Sequence, residues 1–123
     1  MSALLVLIAG PYRSGTDGDT TRIAANLHRL EAAALDVYRR GHLPMIGEWV
    51  ALPLSAAAGS THPGDAISET FLYPVAHRLI RRCDAVLRIA GASRGADADE
   101  RIARELGLPV YRSIEELPDL SDS

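Results

Sequence analysis

Six consecutive apolar residues, Leu4 to Ala9, run straight into Gly10-Pro11, and this segment limits the fold more than any other. A strand with one wet face alternates apolar and polar residues. A strand with no polar position has to be covered on both faces. Helices provide that cover in a parallel sheet, and helical patterns follow. Ile23, Leu27, Leu30, Ala34 and Val37 recur at helical spacing. They predict a helix from about Thr20 to Arg40, with Asp19 or Thr20 as its cap and Gly41 as its end.

The remaining chain continues the alternation. Met45 to Val50 reads as a second strand entered through Pro44, and Ser55 to Gly64 as a Pro/Gly-marked loop. Ile67, Phe71, Val75, Leu79 and Cys83 mark another helical face, with a break expected at Pro74, placed at the first position of the second piece. Ala85 to Ala90 reads as a third strand, Asp97 to Leu106 as a helix closed by Gly107, and Val110 to Arg112 as a fourth strand. "SIEELPDL" reads as a last helical turn. The expectation is an α/β fold in one domain over residues 1–123. It is a doubly wound, flavodoxin- or Rossmann-like parallel sheet of about four strands, order 2-1-3-4, with helices on both faces. Ligands of such sheets sit beyond the carboxyl ends of the strands, where the strand order reverses. That point lies between strands one and three, so "GPYRSG" and "GASRGADADE" should face one another.

Composition narrows the chemistry. A chain of 123 residues suits a single core, and a net charge of −3 offers no electrostatic footprint for nucleic acid or an anionic membrane. The apolar run at the start is too short to span a bilayer and has no basic residue ahead of it, so neither a membrane anchor nor a secretory leader is expected. Cys83 is the single cysteine, which excludes an internal disulfide and a cysteine-based zinc site. These features suit the cytoplasm. All thirteen basic residues are arginine. The absence of lysine removes a P-loop lysine and any Schiff-base mechanism, and leaves carboxylates, hydroxyls, arginine and backbone amides. His42 and His62 share no ligand spacing, so no metal and no cofactor is expected.

Two donor-rich loops and one misplaced acid form the candidate site. On a helical wheel Asp99 falls on the stripe of Ile102, Ala103 and Leu106, which faces the core. A carboxylate there is costly unless it is used or well hydrogen-bonded. Glu100 and Asp97 lie further round, and capping of a helix N-terminus explains them as well as catalysis does. Gly10, Gly15 and Gly18 allow close backbone approach, while Arg13, Ser14 and Thr16 offer donors suited to a phosphate or sugar. Ser93 and Arg94 form a second donor cluster opposite. Trp49, at the end of the expected second strand, is placed to stack on a base, although a lone tryptophan is as readily a core or interface residue.

At these residues the chain resembles the nucleoside 2-deoxyribosyltransferase-like family. The similar stretches are "IAGPYRSG", "RRGHLP", "RRCDAVLRIAG" and "SRGADADERIARELGLPVY", in the family's order and over most of the chain. The resemblance is to a small branch of the family related to the 2′-deoxynucleoside 5′-phosphate N-hydrolases. It implies an enzyme that transfers 2-deoxyribose between bases or hydrolyses the N-glycosidic bond of a nucleoside 5′-monophosphate. In the family motif G-[TV]-x-x-E-x-G-x-A-x-x-x-G-x-P, residues Gly95, Ala103, Gly107 and Pro109 match, and the nucleophile position falls on Asp99. Ser93 falls on a phosphate-contacting serine and Arg13 near a loop arginine. Three departures from the family bear on the chemistry. Aspartate replaces glutamate, the strand-one tyrosine corresponds to Val6 or Leu7, and an aspartate that handles the base proton corresponds to about Ala76.

The resulting expectation is an N-glycosidic enzyme acting on a nucleoside or nucleotide. Asp99 is its nucleophile, kept ionised by the dipole of its helix, and Asp97 or Glu100 acts as proton donor. The substrate-binding set is Gly10, Tyr12, Arg13, Ser14, Gly15, Trp49, Ser93, Arg94 and Gly95. The alternative is a nucleotide-binding sensor or regulatory module without turnover. The resemblance also implies a homodimer or larger homo-oligomer.

Overall fold

A computed structural model describes residues 2–121. Its sheet has four parallel strands in the order β2-β1-β3-β4. They are β1 (Leu5–Ala9), β2 (Leu43–Ile46), β3 (Ala85–Arg88) and β4 (Val110–Tyr111). Four helices connect them: α1 (Thr20–Arg39), α2 (Gly47–Ala57), α3 (Ala66–Ile80) and α4 (Arg94–Glu105). A 3-10 turn, Ile114–Glu116, follows β4. Strand β1 is central, pairing Leu5 with Leu43 on one side and Val6 with Ala85 on the other.

The alternation along β1 explains its unbroken apolar sequence. Val6 and Ile8 point into a cluster with Leu30, Ala34, Val37, Ile46 and Leu87, under α1. Leu7 and Ala9 point the other way, toward Ile80, Cys83, Val86, Ala96 and Ala103, under α3 and α4. Helix α1 starts on Asp19, whose carboxylate accepts from the Arg22 amide. Its apolar stripe buries Ile23, Leu30, Ala34 and Val37.

Two local expectations are overturned. Strand two does not reach Val50; it ends at Ile46, and α2 begins at once with Gly47. The run "MIGEWV" has the β-branched and aromatic content of a strand, but a helix there buries Ala51 and Ser55. Gly47 sits close enough to α3 that a Cβ on it would lie 3.7 Å from the Ala76 Cβ. Much of the expected 55–64 loop is not part of this helix, but its first three residues are, since α2 runs on to Ala57. Helix α3 also runs unbroken through Pro74, as α2 does through Pro53. An interior proline costs about 3 kcal/mol in an isolated helix, and the mutual packing of α2 and α3 outweighs it here.

The chain end is tied back to the entrance of β2. His42 is buried; its Nδ1 accepts from the Leu4 amide at 3.0 Å and its Nε2 faces the Pro118 carbonyl at 2.6 Å. These partners require the proton on Nε2. Arg40 donates to the Leu117 carbonyl at 2.9 Å, and the Leu120 amide donates to the Arg40 carbonyl at 2.7 Å. The backbone at Gly41 has φ +97°, and a Cβ there would lie 2.7 Å from the Leu120 Cβ, so this close approach needs glycine. His42→Ala leaves a part-buried amide and carbonyl without their partner. Urea unfolding is expected to show a loss of roughly 1–3 kcal/mol.

Candidate functional site

The carboxyl end of β1 opens into a cavity of about 400 Å³ on the side of the sheet covered by α2, α3 and α4. Three groups of residues converge there. The loop after β1 contributes Gly10, Tyr12, Arg13 and Ser14. The start of α4 contributes Ser93, Arg94, Gly95 and, one turn further in, Asp99. Helices α2 and α3 contribute Glu48, Glu69 and Tyr73.

Local chemistry holds the first loop in place. Asn26 on α1 is buried and donates to the Tyr12 carbonyl at 2.8 Å, and the Thr16 hydroxyl donates back to the Arg13 carbonyl. Tyr12 is turned inward and is only 6% exposed. Burial raises its phenol above the usual range, and the nearby Glu48 carboxylate adds to this against Arg13. Arg13 crosses the mouth of the cavity to form an ion pair with Glu69, so the two stretches of chain are linked across the opening. Gly15 faces away, into a shallower groove behind the loop with Arg22 and Arg29.

Ser93 caps α4, its hydroxyl accepting from the Ala96 amide at 3.1 Å. The helix therefore starts at Arg94, three residues before the Asp97 start expected from its sequence. Asp99 consequently lies in the second turn, where the attraction of the helix dipole has largely faded. It is only 9% exposed, and its Oδ1 has no hydrogen-bond partner among the described residues. Burial, and then the Glu48 charge, push its carboxyl up to about 7 against a smaller pull from Arg88. The dipole does not keep this residue ionised at neutral pH; desolvation wins.

Asp97 and Glu100, the two other acids expected to act with Asp99, point elsewhere. Asp97 lies 3.0 Å from Arg88, a buried arginine that also donates to the Ile89 and Gly91 carbonyls and so shapes the β3–α4 loop. Glu100 takes Arg112 at 2.7 Å and Arg104 at 3.2 Å, beside β4. Neither lines the cavity. Trp49 is on α2 rather than at a strand end, exposed, and its indole N–H donates to Glu31 on α1 at 2.9 Å.

Glu48 was not singled out by sequence reasoning, because a strand through Val50 would have hidden its position. The structure places it in the first turn of α2, half-buried, with its carboxylate raised by desolvation against its own backbone amide. A helix starting directly at the end of a strand delivers an acid to the carboxyl edge of the sheet. Glu69 and Tyr73 were also missed, one turn apart on α3. Ala76, where the resemblance would place an aspartate, lies in the same wall.

No protein-family model matches the chain, and no curated protein or solved structure matches it. Function is therefore argued from the cavity. Among the described residues no group of three or more His, Cys, Asp or Glu side chains is placed to hold a metal ion. No helix among them is long and apolar enough to cross a membrane.

Proposed function

We propose that this chain acts on the N-glycosidic bond of a deoxynucleoside or nucleoside 5′-monophosphate, by hydrolysis or deoxyribosyl transfer, with Asp99 as nucleophile. The observation that carries the reading is the unpartnered, buried Asp99 oxygen in the cavity wall. Structural carboxylates buried to that degree are normally paired or fully hydrogen-bonded. One that is not, in a concave site with a shifted pKa, is a reactive group.

The surroundings suit a sugar carrying a base and a phosphate. Gly10 lines the cavity with its backbone, while the room left by its missing side chain is taken by Ile89 and Leu30. Ser14, Ser93 and Arg94 supply donors at the rim, and Tyr12 offers both a flat face and a phenol. A 5′-phosphate takes Arg13 from Glu69, exchanging one anionic partner for a stronger one. Attack by an Asp99 oxygen on the anomeric carbon gives a glycosyl ester, which water or an incoming base resolves with retention, as in two-step glycosidases.

A binding module without turnover is the second reading. It is favoured by the high Asp99 pKa, which leaves a large part of the nucleophile protonated at neutral pH, and by the apolar Ala76 in the wall. Incubation with deoxynucleosides and their 5′-monophosphates, followed by chromatography for free base, separates the two. Released base with a preference for monophosphates is the expected result. Saturable nucleotide binding with no base released would establish the module instead, and neither binding nor release would remove both.

A further inference from the structure

We infer that Glu48 is the second catalytic carboxylate of the cavity, giving a proton to the departing base and later taking one from the water that frees the sugar. The inference rests on the glycosidic reading above. When the C1′–N bond breaks, its electron pair goes to a ring nitrogen of the base. Purine and pyrimidine anions leave slowly unless that nitrogen is protonated, so the site has to supply an acid.

Among the described side chains of the cavity, one remains. Asp97 is held by Arg88, and Glu100 by Arg104 and Arg112, all outside the cavity. Glu69 lines the cavity too, but it stands beside Arg13, where the phosphate binds, its side chain is 40% exposed, and its charge is not among those acting on Asp99. Tyr12 keeps its proton even more firmly than an ordinary phenol. Glu48 remains: half-buried, facing the same space as Asp99, and in no ion pair with another described residue. It is also close enough that its charge hinders the ionisation of Asp99. Two carboxyls that face one cavity and influence each other's ionisation are a recurrent acid–base device.

An Asp99 oxygen bonds to C1′ as the C1′–N bond breaks, and the base nitrogen takes the Glu48 proton. Glu48, now ionised, accepts a proton from water. The water oxygen bonds to C1′, the ester bond to Asp99 breaks, and Asp99 recovers its charge. In transfer, the N–H of an incoming base takes the place of water. Burial favours the protonated form of Glu48, which supplies the proton for the first step. Positive charge developing at C1′ favours the ionised form of Asp99 beside it. The other titratable or charged groups around the pair are Tyr12 and Arg13 from the β1 loop, Glu69 and Tyr73 from α3, Arg94 from α4 and Arg88 from β3.

The test compares two substrates with wild type and Glu48→Gln. One is deoxyguanosine monophosphate; the other is its 7-methylated form, whose cationic base leaves without protonation. In the first turnover, before water is needed, release of base by Glu48→Gln is expected to fall about 100-fold or more on the first and to stay within a few-fold on the second. Carboxyl NMR of Glu48→Gln should show the Asp99 midpoint below its wild-type value, because the charge opposing its ionisation is gone. Equal losses on both substrates, or none on either, overturn the role of Glu48, as does an Asp99 midpoint that does not move. Wild type that cleaves neither substrate overturns the glycosidic reading itself, which distinguishes the two failures.

Discussion

Asp99→Asn is expected to reduce base release by about four orders of magnitude, the scale seen when one member of a nucleophilic catalytic unit is removed. Asparagine keeps the shape of the side chain and its place on α4, so the cavity and its donors persist while the attacking oxygen loses its charge. Nucleotide binding should survive within a few-fold, placing the loss in kcat rather than in KM. Residual turnover within tenfold of wild type would show that Asp99 is not the nucleophile, whatever else the cavity binds. The same measurement on Asp97→Asn and Glu100→Gln is a control. Both side chains are tied to arginines away from the cavity, so both variants should remain active.

The same substitution should also change the dependence of stability on pH. An aspartate in an unfolded chain releases its proton near 3.8, whereas in the folded protein Asp99 holds it up to about 7. Between these values the folded state binds more protons than the unfolded state, so Asp99 lowers stability as pH rises, and the loss levels off above 7. At about 1.4 kcal/mol per pH unit, the full penalty is roughly 4 kcal/mol. The asparagine of the variant carries no such penalty. Thermal unfolding should find Asp99→Asn more stable than wild type at pH 8, by about 15 °C for a domain of this size. Near pH 4 the two should nearly coincide. Taking the difference between the two proteins cancels the other titrating groups, Asp65 and Asp119 among them. Parallel curves from pH 4 to 8 would mean that Asp99 titrates like a solvated carboxyl. A residue held in that state would also lose its place as the reactive group of the cavity.

Local pattern was enough for the frame. Leu4 to Ala9 lacks any polar position because both faces of β1 are covered, and the spacing of Ile23, Leu30, Ala34 and Val37 reflects the single stripe that α1 buries. From these the parallel sheet, its order and the convergence of the β1 loop with the start of α4 all follow, and the wheel position of Asp99 correctly marked it as facing inward. Each depends on neighbours a few residues apart, where steric and hydrophobic periodicity act directly.

The partners of the acids depended on the folded chain. Asp97, Asp99 and Glu100 are within four residues of each other, yet Arg88 claims the first, the cavity the second, and Arg104 with Arg112 the third. Whether "MIGEWV" is a strand or the start of a helix turns on α3, a later element of the chain, against which Gly47 packs. That choice decides whether Glu48 reaches the cavity. The charge state of Asp99 likewise comes from burial and from the carboxylate of Glu48, far away in sequence, and these override the dipole of its own helix. Periodicity reports which face of an element is wet; desolvation and charge pairing are set by whatever the fold brings within a few ångströms.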